Sequence, residues 1–311
     1  MTKNGNKISI VGAGQVGQAT AQMLARENFC NEIALIGRKE GVPQGAALDI
    51  RHAIPLYESD TAIYGYHDYA ALCDSHVVVV TAGYPRKPGM SRADLLDTNK
   101  PIIEEVVANI VKYAPHAFII VITNPVDVLT YYAWRASGWD RNRIIGLSCV
   151  LDSARMVSLI AHKTGCSPKE ISALVIGGHG DSMVPLPRFS RINGIPLDVF
   201  LTKQDVAEII RATRQAGSEI VALKGTSGYV AAAASVVTML DAIINNRNHI
   251  LPCVAVLAGE YALENMALGV PALIGGEGVQ KIIELPLNEE ETTAFLRSAA
   301  EVREILQCGN V

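Results

Sequence analysis

Three things are missing from these 311 residues: a basic excess, an apolar run of membrane length, and a closely spaced cysteine pair. Each absence excludes a class of function. Acidic residues outnumber basic ones 31 to 27, leaving a net charge of −4 and none of the cationic surplus that neutralises nucleic-acid phosphates. The strongly apolar, charge-free run Val230 to Leu240 closes at Asp241, far short of the roughly 20 residues a membrane span requires. The opening Met1-Thr-Lys-Asn-Gly-Asn-Lys is polar and leads into an apolar strand without a secretory core, so a cytoplasmic protein is expected. The six cysteines (30, 73, 149, 166, 253, 308) contain no C-x-x-C. They read as buried small hydrophobes in a reducing compartment, with neither a disulfide framework nor a zinc site, and no metal is expected.

What is present is ample core material. The chain is 49% hydrophobic and 19% charged, with 26 glycines and 14 prolines, a composition that excludes disordered, collagenous and low-complexity classes. At roughly 150 residues per domain, the length suits one large domain or two smaller ones.

The first half alternates short β-branched runs with helical patterns. Ile8–Val11, Glu32–Ile36, His76–Val80 and Phe118–Ile122 read as strands, and Ile144-Ile145 begins another. Helical spacing covers about Gln15–Asn28 and Ile102–Tyr113. This alternation predicts a doubly wound parallel (Rossmann) α/β sheet. The second half has mixed order: helices over Leu151–Thr164, Lys203–Leu223 and Ser227–Ile244, and strands over Ile171–Ile176, His249–Leu257 and Ala262–Gly269. A last helix opens on a capping-box-like Asn288…Glu291. An α+β second domain is therefore expected, dividing the chain at 1–149 and 150–311. No internal repeat or flexible linker separates the parts.

Gly12-Ala-Gly14-Gln15-Val16-Gly17 follows the first strand and opens a helix. Glycines there permit a tight turn and close approach of a pyrophosphate, while the helix start offers unpaired N–H groups. At the end of the second strand, where a carboxylate would bind ribose hydroxyls, the chain reads Gly37-Arg38-Lys39. A guanidinium pairs with a 2′-phosphate that a carboxylate would repel, so NADP(H) is expected in preference to NAD(H). A solvated turn shaped by Gly37 is the plain alternative.

Four further segments follow strand ends or open a helix, where ligands bind in such sheets. Thr81 to Leu95 is a turn-rich loop with Arg86 and Arg92 and a hinge-capable Gly89, and Thr123-Asn124-Pro125-Val126-Asp127 follows the strand at 118–122. Leu151-Asp152-Ser153-Ala154-Arg155 starts a helix, and Gly177-Gly178-His179-Gly180-Asp181 sits in a loop. Asp152 and Arg155, three apart, share a helix face. Singly, each reads equally well as an ordinary loop histidine or surface ion pair.

In this order the motifs resemble the lactate/malate dehydrogenase family over nearly the whole chain, and within it the malate dehydrogenases built like lactate dehydrogenases. The resemblance implies hydride transfer between malate or oxaloacetate and a nicotinamide cofactor. It makes His179 the acid/base, Asp152 its orienting carboxylate, Arg155 the clamp on the substrate carboxylate, and Arg92 the group that polarises the carbonyl from a closing loop. It places Asn124 against both substrate and nicotinamide with a cis bond to Pro125, and adds Asn99 and Thr123 to Gly12, Gly14, Gln15, Val16, Gly17, Gly37 and Arg38 as cofactor-binding positions. Arg86 faces the substrate's far end, where arginine goes with malate and glutamine with lactate. Gly228, where lactate enzymes carry threonine, leaves room for the larger acid. The resemblance also implies a homodimer or homotetramer. Reduction of a ketone requires a proton donor and a cation beside the developing alkoxide, so the residue types fit. A dehydrogenase for lactate or another 2-hydroxy acid, a dinucleotide-dependent glycosidase and a non-catalytic nucleotide sensor are the rival readings.

Overall fold

The computed structural model describes residues 6–85 and 89–309. Its first half builds β1 (Lys7–Val11), α1 (Gln15–Glu27), β2 (Glu32–Ile36), α2 (Val42–Ala53), β3 (Ala62–Tyr66), β4 (Ser75–Val80), α3 (Arg92–Tyr113), β5 (Phe118–Val121), α4 (Val126–Ser137) and β6 (Ile144–Gly146). Strands β1 to β6 pair in parallel in the order β6-β5-β4-β1-β2-β3, the doubly wound arrangement expected. The apolar runs are continuous because both faces are covered. Val78 and Val80 of β4 pack in one core with residues of α3 and α4, while Val77 and Val79 pack in another with residues of α1 and α2. All four are fully buried, each stabilising the fold by roughly 1.5–3 kcal/mol.

The second half adds α5 (Cys149–Thr164), β7 (Ile171–Ser172), β8 (Val175–Ile176), β9 (Val184–Pro185), β10 (Arg191–Ile192), β11 (Ile195–Pro196), α6 (Lys203–Lys224), α7 (Val230–Ile244), β12 (His249–Ala258), β13 (Glu264–Gly275), β14 (Gly278–Ile282) and α8 (Glu289–Cys308). The antiparallel ribbon β12–β13–β14 extends the first half's sheet, because β12 pairs with β6 through Val254↔Gly146 and Ala255↔Ile145. One nine-stranded sheet thus runs through both halves. Helix α8 packs Phe295, Ala299 and Val302 into the core that holds α3 and α4, and α7 packs Val236, Met239 and Leu240 into the opposite one.

Several expectations are corrected. Helix α3 begins at Arg92, ten residues before the apolar spacing does. Ser91 and Asp94 form a capping box there, and Pro101 inside the helix interrupts the periodic pattern. Helix α2 and strand β3 escaped the reading because each carries glycine. Gly65 lies so close under the Pro43 carbonyl that a Cβ there would collide with it. The single strand expected over 171–176 is two short pieces, one pairing with β10 and the other with β9. Strand β14 was not anticipated. Of the cysteines, Cys73 and Cys308 are exposed rather than buried.

Candidate active site

The turn after β1 is built to exclude side chains. Gly12 has φ of +120°, and a Cβ on it would run into Thr81 and the Ala82 amide. A Cβ on Gly17 would collide with the Gly12 carbonyl. The Thr81 hydroxyl donates to that carbonyl at 2.9 Å and locks the turn. Gly14, the residue preceding α1, faces open space: a Cβ there meets nothing within 4 Å. No side chain caps this helix end, so the first-turn N–H groups, including those of the exposed Gln15 and the half-buried Val16, point outward with the positive end of the helix dipole. Open backbone, free donors and a favourable dipole fit a dinucleotide pyrophosphate.

At the end of β2, a Cβ on Gly37 would stand 2.8 Å from the Ala13 Cβ, so the close approach of the glycine turn itself requires glycine here. Arg38 is exposed and donates to the Tyr84 hydroxyl at 3.2 Å, which spans the mouth between the ends of β2 and β4. Thr123 and Asn99 fasten the next wall. The Thr123 hydroxyl donates to the Ala82 carbonyl at 2.7 Å. Asn99, fully buried on α3, accepts from the Tyr84 amide at 2.8 Å and donates to the carbonyls of Tyr84 and Asn124 at 3.1 and 2.8 Å. Asn124 is exposed beyond the end of β5, and its bond to Pro125 is cis.

A charged cluster forms around the 177–181 loop. Asp152, in the first turn of α5, is fully buried with both oxygens engaged: Oδ2 lies 2.9 Å from His179 Nδ1, and Oδ1 accepts from Arg155 Nη1 at 2.8 Å. Burial of His179 pulls its pKa down, but the Asp152 charge and hydrogen bond outweigh it, and the net shift is upward. Arg155 lies against α6, where a Cβ on Gly217 would stand 3.6 Å from its Nη2. Arg92 is the first residue of α3, and its Nη2 occupies the space that a Cβ on Gly180 would need. The fold thus gathers His179, Asp152, Arg155 and Arg92, which lie up to 87 positions apart in the chain. Gly228 is exposed beside α6, where a Cβ would stand 3.3 Å from Ile220. Arg86 lies outside the described residues.

One residue of this cluster had no role in the sequence reading. Asp127, only 4% exposed in the first turn of α4, accepts from the His179 main-chain N–H at 2.8 Å. Burial pushes its carboxyl up to about 6. The available signal was an acid two residues after Asn-Pro, but such an acid equally suits a helix start.

Models of the lactate/malate dehydrogenase NAD binding domain and of the alpha/beta C-terminal domain of the same family match residues 6–146 and 149–311. The chain therefore belongs to the lactate/malate dehydrogenase family, and it binds a nicotinamide cofactor in its parallel half. A malate dehydrogenase of Nitrosococcus oceani is 53% identical over 298 residues, 96% of either chain. The crystal structure of a Cryptosporidium parvum malate dehydrogenase is 40% identical, with a TM-score of 0.95 over 97% of this chain and 98% of that one. A lactate dehydrogenase of the same organism, complexed with lactic acid and nicotinamide adenine dinucleotide, is 36% identical, with a TM-score of 0.95 over 99% and 98%.

Proposed function

We propose that the chain catalyses the malate dehydrogenase reaction, interconverting (S)-malate and oxaloacetate, and that the observation carrying this reading is the His179–Asp152–Arg155 constellation in a chain that also builds a glycine-lined strand–helix turn. Arg86 and the relatives named malate dehydrogenase favour malate over lactate.

When bound, the nicotinamide supplies or accepts the hydride. Asp152 holds the His179 Nδ1–H, fixing the tautomer and leaving Nε2 to give a proton to the carbonyl oxygen in reduction and to take it back in oxidation. Arg92 stabilises the developing alkoxide. Arg155, oriented by Asp152, clamps the carboxylate beside the reacting carbon, and Arg86 pairs with the far one. A pyruvate methyl group would leave Arg86 desolvated and unpaired. Asn124 contacts substrate and nicotinamide. Gly12, Gly14, Gln15, Val16 and Gly17 bind the pyrophosphate, with Gly37, Arg38, Asn99 and Thr123 completing the cofactor wall. Residues 1–149 serve the cofactor and 150–311 the acid/base chemistry.

NADP(H) is proposed over NAD(H). Steric crowding by Ala13 explains Gly37 by itself, so the discrimination rests on the exposed Arg38, which offers a 2′-phosphate a guanidinium where a carboxylate would repel it. The assembly is proposed to be a homodimer or homotetramer, as the family resemblance implies. A cytoplasmic location is supported by six cysteines without a disulfide; among the described residues no helix is long and apolar enough to cross a membrane.

Initial rates of oxaloacetate and pyruvate reduction, each with NADH and NADPH, test these points together. Oxaloacetate with NADPH is expected to give the highest kcat/KM, and Arg86→Gln to move preference toward pyruvate. Faster turnover of pyruvate would overturn the substrate assignment, and a strong NADH preference the cofactor assignment.

A further inference from the structure

Three consecutive main-chain N–H groups before and at His179 are each held by a different element. Gly177 donates to the Gly269 carbonyl of β13 at 2.8 Å, Gly178 to the Ser298 hydroxyl of α8 at 2.8 Å, and His179 to Asp127 Oδ2 of α4 at 2.8 Å. Ser298 is fully buried, and a Cβ on Gly177 would press on its hydroxyl at 2.8 Å. The loop is thus suspended from three sides.

The Asp127 strut differs from the other two. It carries a charge, it is buried, and its second oxygen, Oδ1, has no hydrogen-bond partner among the described residues. A hydroxyl acceptor, such as the one Ser298 offers Gly178, would hold the same N–H without an uncompensated buried oxygen, and leaving a buried polar atom unpaired costs stability. An anion retained at that cost suggests a task for its charge. Asp127 also stands three residues after Asn124, in the first turn of the helix that follows it, so it joins the turn presenting Asn124 to the loop presenting His179. The charged groups around His179 are Asp152 and Arg155 from α5 and Asp127 from α4, and Asp127 in turn faces His179, Arg92 from α3 and the Cys149 thiol from α5. β13 and α8 meet the loop with a carbonyl and a hydroxyl.

We propose that Asp127 is a positioning residue for the reaction: it holds the His179 main chain in register with the Asn124–Pro125 turn, and its negative charge favours the protonated imidazole. This rests on His179 being the acid/base. With the charge present, the imidazole keeps its proton to higher pH, which extends the range over which it donates to oxaloacetate.

The test compares Asp127→Ala, Asp127→Asn, Ser298→Ala and His179→Asn, measuring kcat and KM for oxaloacetate reduction against pH, normalised to folded chain by circular dichroism. D127A, without an acceptor, is expected to lose kcat roughly ten- to hundred-fold with KM little changed. D127N, which keeps an acceptor, should stay within about threefold of the parent. In both variants the alkaline limb reporting loss of the His179 proton should move to lower pH, by roughly half a unit or more. S298A, which removes a strut without a charge, should leave that limb in place. Parental kcat in D127A, or an unmoved limb in D127N, would overturn the proposal; if D127A does not fold, the D127N limb decides alone. Full turnover by H179N would instead sink the acid/base assignment.

Discussion

The two regions proposed to face ligand are built by opposite means. The glycine turn at 12–17 presents bare backbone, and a Cβ at Gly12 or Gly17 would collide with other main-chain atoms. The 177–181 loop is surrounded by side chains sent from four helices: Asp152 from α5, Asp127 from α4, Arg92 from α3 and Ser298 from α8. Local backbone recognition needs only a strand, a turn and a helix start. A convergent side-chain cluster needs the whole fold.

The largest break in this comparison comes from the side-chain region. His179→Asn should lower kcat by at least about a thousandfold, and Asp152→Asn by roughly a hundredfold through loss of the tautomer and of the Arg155 orientation, with cofactor affinity preserved. Steady-state rates together with cofactor titration by fluorescence check both. A parallel loss of cofactor binding would erase the separation between the regions.

The glycine turn should respond in two distinguishable ways. Gly17→Ala forces a clash with the Gly12 carbonyl and should destabilise the fold by about 1–3 kcal/mol while weakening cofactor binding. Gly14→Ala points into open space, so stability should stay within about 0.5 kcal/mol while cofactor KM rises. Melting temperature and KM measured side by side separate a packing glycine from one that leaves room for the ligand. If both variants behave alike, that distinction fails.

The smallest effect expected is in stability against pH, where two acids work in opposite directions. Asp127, raised to about 6 by burial, contributes stability that is complete below the ordinary carboxylate value and is lost as pH rises through about 6. Glu260, lowered to about 2 chiefly by its hydrogen bonds from Arg141, contributes stability present above the ordinary value and lost as pH falls toward about 2. Urea unfolding between pH 4 and 8 should show the first slope in the parent and lose it in D127N, whereas E260Q should leave that slope intact. An unchanged slope in D127N would show that burial does not perturb Asp127.

Much of this was legible beforehand, for identifiable reasons. The parallel strands show as apolar runs because both faces of the sheet are covered, and the Gly-rich turn shows because its conformation excludes other residues. The start of α3 was hidden because Ser91, Arg92 and Asp94 are polar, so a capped helix end looks like loop. The joining of β12 to β6 was hidden because strand pairing across more than a hundred residues leaves no local trace. Asp127 was in view within its motif, but nothing local marks a carboxylate as the acceptor for an amide 52 positions away.

Residue order alone determined the kind of chemistry available: a strand–turn–helix that only glycine can form, and a histidine, an aspartate and arginines whose protonation and charge suit ketone reduction. The tertiary structure decided which of these groups meet. The second half completes the first half's sheet, and that packing brings α3, α4, α5 and α8 around one loop. Hydrogen bonds and charge interactions act over a few ångströms, so only the folded chain could make them act together.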